Sequence, residues 1–186
     1  AIHCATDLLA DYCAASWRDG EGAGIEPGRF DGSDGDVSLV STPDADGRHQ
    51  RSLRISTPPG GSMRGHYELP GTAPQRLYLT VSLLRDAGCP ASVAVAGQGD
   101  APTEVLLAKD AVGQPRTLVV DVPAGSAGTD VVVGALDTAP TTVAIADAWL
   151  VDLGETLQDP LRATPEGIGQ AVLRDGCTYG PSALTI

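Results

Sequence analysis

The sequence predicts an all-β protein, an antiparallel sandwich or barrel, with a short helix ahead of it and an extended tail behind it. Three observations carry this expectation. Between residues 37 and 153, short segments alternate apolar and polar positions with a period of two. Clusters of Gly, Pro and Asp separate them at close intervals, which leaves no room for the crossover helices of a parallel sheet. Polar residues fill the alternate positions, so most strands have one face in water.

Taken in order, residues 6–16 (TDLLADYCAAS) carry helix formers behind a Thr6 N-cap, with Leu8, Leu9, Tyr12 and Cys13 on one side. This spacing predicts a docking helix that ends near Gly20, followed by a Gly-, Pro- and Asp-rich loop over 19–36. About nine strands follow, over 37–41, 50–57, 62–69, 76–85, 91–97, 103–109, 116–122, 130–137 and 142–153. The clearest is LYLTVSLL at 77–84, where Leu77, Leu79, Val81 and Leu83 form one face and Tyr78, Thr80 and Ser82 belong to the other. After Gly154 the alternation stops. The expected organisation is therefore an N-terminal helix and loop arm over 1–36, a sandwich over 37–153 and a C-terminal tail over 154–186.

Composition narrows the function classes. A chain of 186 residues with 42% apolar and 19% charged residues is long enough for one domain with a real core. Its formal charge of −12 repels nucleic acid phosphates and anionic lipid, and no basic patch offsets this. No apolar run reaches the length of a membrane span, and the first residues lack the layout of a secretory signal. The chain is thus expected to be either a mature secreted form or a protein that is not secreted. Cys4, Cys13, Cys89 and Cys177 have no CxxC or metal-finger spacing, so free thiols and disulfides both stay open. A helix over 4–13 would hold Cys4 and Cys13 about 13 Å apart along its axis, too far to bridge.

Three patches share an order with a known layout: GRHQRSLRIS at 47–56, RLYLTVSLL at 76–84 and TVAIADAWLVD at 142–152. Together they resemble the jelly-roll carbohydrate-binding modules found beside bacterial glycoside hydrolases, a layout also used in phage fibres and decoration proteins. The resemblance spans residues 37–153 and departs from the family at Ala146, where the last strand of the family carries a second acidic residue. It implies a jelly-roll sandwich, with sugars held on a sheet or at the loop edge by stacking on Trp or Tyr. Tyr78 is the best placed aromatic, on the side opposite Leu77 and Leu79; a cross-strand surface role is its alternative. Trp149 is in register with core positions Val143, Ile145 and Val151, and it becomes a binding candidate if a bulge turns it outward. Arg64, His66 and Glu68 alternate with Met63, Gly65 and Tyr67 and line a polar face, for sugar or for water. Only seven aromatic residues weigh against a dedicated sugar binder.

The segment FDGSDGD at 30–36 places Asp31, Asp34 and Asp36 among glycines, a composition that suits a structural Ca2+, against a solvated turn; Asp44 and Asp46 could add oxygens. No EF-hand, GxSxG, HExxH or phosphate-loop motif is present, and His3, His49 and His66 lack metal-ligand spacing. The sequence thus predicts a non-enzymatic protein of a virion or extracellular surface assembly, with glycan recognition and with neighbouring subunits contacted through the arm and the tail. A purely structural decoration protein and a secreted carbohydrate-binding module are the alternatives.

Overall fold

Strand alternation with turn residues between strands gives two antiparallel sheets that bury one face each against the other. The computed structural model describes residues 5–28, 35–43, 46–69, 73–97 and 102–153. Sheet A runs in the order β10 (Arg116–Val122), β7 (Gln75–Leu83), β12 (Thr142–Asp152), β5 (His49–Ser56), β4 (Val37–Pro43), with β1 (Ala5–Asp7) added on β12. Sheet B runs β3 (Gly24–Ile25), β2 (Ser16–Asp19), β6 (Ser62–Glu68), β11 (Gly128–Ala135), β8 (Ala91–Gly97), β9 (Thr103–Leu107). This is the predicted antiparallel jelly-roll sandwich, and all nine expected strands are present with small shifts at their ends.

The core is made by the residues of the apolar alternation. Leu77, Leu79, Val81 and Leu83 of β7 meet Met63, Tyr67, Val93, Val131 and Val133 from sheet B. Gly65 makes room for an indole: a Cβ there would lie 2.5 Å from the ring of Trp17. Trp17 packs edge-on against Tyr67, with centroids 6.2 Å apart and planes at 83°. Burial pushes the Tyr67 phenol well above its ordinary pKa, and the negative charges of Asp11 and Asp7 add to this.

The helix expected over 6–16 does not form. Residues Ala5–Asp7 pair instead with Val151–Trp149, and Ser16–Asp19 pair with His66–Met63. Between them the chain crosses from one sheet to the other in turns. The Asp7 carboxylate accepts the Leu9 N–H at 2.9 Å, and the Leu8 N–H donates to the Ala148 carbonyl at 2.9 Å. Leu8 and Leu9, placed by their spacing on a helix face, enter the core from a turn. A segment of about three turns nucleates poorly alone, and ladder pairing with local Asp bonding outcompetes it. The N-terminal residues 5–25 are therefore part of both sheets. The tail over 154–186 lies outside the described residues, as do Cys4 and Cys177. Cys13 is a free, exposed thiol, and Cys89 is free and buried, with its Sγ donating to the Ala139 carbonyl at 3.3 Å.

β12 carries the main irregularity. Its pairing with β7 slips between Ile145 and Asp147. Val143 and Ile145 face the core before the bulge, Ala148 and Leu150 after it. On its other edge, β12 pairs with β5 as far as Ile145 and then with β1 from Trp149.

Candidate functional site

The five residues expected to bind sugar fall on opposite sides of the sandwich. Arg64, His66 and Glu68 project from the outer face of sheet B, where pairing brings β11 and β2 alongside β6. His66 stands opposite Asp130, and Arg64 opposite Val132 and Arg18. The His66 Nδ1 lies 2.6 Å from a carboxylate oxygen of Asp130, and Arg64 approaches the second oxygen at 4.0 Å. Both stay open to solvent, with side chains 60% and 42% exposed for Arg64 and His66. The imidazole lies over Gly128, where a Cβ would sit 2.5 Å from its Cε1. Beyond Asp130 and Val132 the face continues over Ala94 and Ala96, so charged groups border a shelf of small side chains.

At one end the shelf opens into a cleft of about 590 Å³ lined by Asp19, Gly20 and Glu21, by Pro58–Ser62, and by Gly134 and Ala135. Ser62 and Gly134 are cross-strand partners and belong to both shelf and cleft. Strand rise makes the path from Ser62 to Glu68 roughly 20 Å long. Asp130, Arg18 and the cleft were not singled out from the sequence. Asp130 and Arg18 sit at outward positions of their strands, but only pairing reveals that they meet Arg64 and His66.

Tyr78 and Trp149 are cross-strand partners on the outer face of sheet A. The bulge turns Trp149 away from the core, as the family pattern implied. It is nevertheless only 2% exposed, so neither of its ring faces is open as a stacking platform. Tyr78 is half-buried beside it, and its hydroxyl is buried without a hydrogen-bond partner among the described residues. Next to Trp149, where β5 leaves β12 and β1 joins it, lies a pocket of about 200 Å³ lined by Asp7, Leu9, Gln50, Arg51, Ala146, Asp147 and Trp149. Asp7 is buried and ion-paired with Arg51. Burial raises the Asp147 carboxyl above its ordinary pKa, Asp7 raises it further, and a hydrogen bond from Trp149 opposes them.

Of the carboxylates in the calcium expectation, Asp36 and Asp46 lie among the described residues. Asp36 is buried, with Oδ1 accepting from Arg54 at 2.7 Å, so a guanidinium already stands where a cation would bind. Arg54 also reaches Asp86 at 2.9 Å. Asp31, Asp34 and Asp44 lie outside the described residues. Among the described residues no three His, Cys, Asp or Glu side chains gather as a metal site. None of the described helices is long and apolar enough to cross a membrane.

The chain matches no protein-family model and no curated protein. Its fold is similar to that of the tandem CBM51 modules of Sp3GH98, a family 98 glycoside hydrolase from Streptococcus pneumoniae. There the TM-score is 0.55 at 12% identity, over 91% of this chain and 52% of that one. It is also similar to a chain of Clostridium perfringens ZmpB that holds the M60 catalytic domain with two CBM51 domains. That match has a TM-score of 0.53 at 17% identity, over 81% of this chain and 15% of that one. The fold is thus a jelly roll of the carbohydrate-binding-module type.

Proposed function

We propose that the protein is a non-catalytic recognition domain that binds a glycan chain along the outer face of sheet B, from the cleft at Ser62 to Glu68. The observation that carries this reading is the continuity of the track: the cleft opens onto Arg64, His66 and Asp130 beside a strip of small residues. Guanidinium and carboxylate groups make charge-assisted hydrogen bonds with hydroxyls, and small neighbours let a sugar ring approach the strands. The residues named on this track include no aromatic, so affinity comes from hydrogen bonds spread over several sugar units. The module-type fold supports the reading, and the acidic chain disfavours nucleic acid as the ligand.

A non-catalytic role agrees with the two described pockets that each bring two carboxylates together, Asp19 with Glu21 in the cleft and Asp7 with Asp147 beside Trp149, because in each one carboxylate is tied down. Asp19 accepts the Glu21 and Ala23 N–H groups at 3.0 and 2.8 Å. Asp7 is held by Arg51 and by the Leu9 N–H, which leaves it no freedom to act as a base beside Asp147. In this reading the domain works at a virion or extracellular surface, with neighbouring subunits contacted through the segment after residue 153. A glycan array probed with the intact protein tests it. Oligosaccharides are expected to be retained and their monosaccharides not. An array without retained glycan, or one that retains monosaccharides equally well, overturns the reading.

A further inference from the structure

We infer that the glycan on the outer face of sheet B carries an anionic group, a carboxylate or a sulfate ester, held between Arg18 and Arg64. This rests on the glycan track proposed above and names the chemistry of its ligand. Pairing of β2 with β6 puts the two arginines directly opposite each other. Both side chains are exposed. Like charges facing across a strand pair repel, so the arrangement costs the fold stability and is not explained by it. An oxyanion between the two guanidinium groups turns that repulsion into charge-assisted hydrogen bonds, for which the planar fork of arginine is suited. The pair is also held from below. Trp17, next to Arg18, lies in the core against Gly65, next to Arg64, and its indole N–H donates to the Tyr12 carbonyl at 2.7 Å. Fixed strands spare the ligand the cost of ordering the site.

Among the described residues, neither arginine has a carboxylate within hydrogen-bond distance. Arg18 Nη1 donates to the Gly22 carbonyl at 3.1 Å. Arg64 stands 4.0 Å from one oxygen of Asp130, whose other oxygen lies 2.6 Å from His66 Nδ1. The outward neighbours of the pair are Ser62 and His66 on β6, Ser16 and Gly20 on the β2 side, and Val132 and Gly24 across the sheet. None of these is acidic, in a chain with 24 Asp and Glu. Asp19, next in sequence, is paired with the core residue Met63 and spends Oδ1 on the Glu21 and Ala23 N–H groups. The formal charge of −12 does not decide against one anionic group here, because its field is screened beyond about 8 Å at physiological salt while the guanidinium groups act at contact. It does decide against a polyanion. DNA brings a charge about every 1.7 Å and would set phosphates against Glu21 and Glu68 on either side of the pair. A sparsely charged glycan meets the arginines with one group and the flanking carboxylates with hydroxyls. Ser62 lines the cleft and Gly20 with it, so an acid group at the arginines leaves the adjoining sugar unit at the cleft mouth.

The test is an array of matched pairs probed with the intact protein. Each uronate oligosaccharide is printed beside its methyl ester, as with trigalacturonate, and each sulfated one beside its unsulfated parent, as with 6-O-sulfated maltotriose. The acidic member of the best-retained pair should bind roughly tenfold or more tightly than its neutral partner, the worth of a charge-assisted bond. Retention of uronates alone identifies a carboxylate as the group, and retention of sulfated glycans alone a sulfate ester. Calorimetry on that pair then compares the parent with Arg18→Gln, which should cut the acid-over-neutral ratio several-fold. Arg64→Gln should do the same and serves where the first variant does not fold. Neutral glycans retained as well as their acidic partners, or a ratio unchanged in a folded variant, overturn this inference and leave the glycan track standing. An array that retains no glycan of either kind overturns both.

Discussion

The two outer faces of the sandwich come from strands of similar composition and end in opposite states. Along the middle of sheet A the outward residues of β5 and β12 are buried as deeply as a core: Ser52, Ser56, Ala144, Trp149 and Val151 are each at most 2% exposed, while Asp147 at the bulge and Asp121 on β10 stay open to solvent. Arg54 lies there too, tied to Asp36 and Asp86. On sheet B the outward row of Arg64, His66, Glu68 and Asp130 remains in water or at its edge. Arg54, in the middle of the first face, is part of the fold. The charged row on the second is open to a ligand, and this difference is the reason we propose recognition on sheet B.

The largest test of that contrast compares two arginines. Arg54→Ala leaves the buried Asp36 carboxylate without its guanidinium and should cost about 3–5 kcal/mol in urea unfolding. Arg64→Ala should stay within about 0.5 kcal/mol of the parent. Equal losses would erase the distinction between the faces.

Next come two glycines of sheet B. Gly65→Ala points into the core against the Trp17 ring and should destabilise by about 1–3 kcal/mol. Gly134→Ala points outward, where the nearest atom is the Ser92 hydroxyl at 2.9 Å, which can rotate away. It should change stability little while narrowing the cleft and weakening glycan binding. The smallest effect is that of Asp147→Asn. The carboxyl is raised above its ordinary value of 3.8 in the folded protein, so the folded state carries a penalty at neutral pH that lifts as pH falls through the raised value. The variant should melt above the parent near pH 7, and the difference should vanish below the ordinary carboxylate range.

Most of the sandwich was legible because burying one face imposes a period of two, and strands of five or more residues display it. LYLTVSLL announced β7, and the Thr142–Asp152 strand was readable as far as its bulge. The first three strands were not legible. They are three, four and two residues long, too short to alternate, and Leu8 and Leu9 imitated a helix face while entering the core from a turn. At the site, the Arg64, His66 and Glu68 row could be read from alternation alone. Asp130 could not, because its place beside His66 depends on a pairing 64 residues away. The fate of Trp149 depended on a bulge that Ala146 and Asp147 do not advertise, and its burial on packing that no local pattern encodes.

The most direct measurement is the dissociation constant of the best array glycan for the parent and for an Arg64→Ala, His66→Ala double variant with an unchanged melting midpoint. The account predicts roughly tenfold or greater weakening in the double variant. An unchanged constant would contradict it and move recognition off the outer face of sheet B.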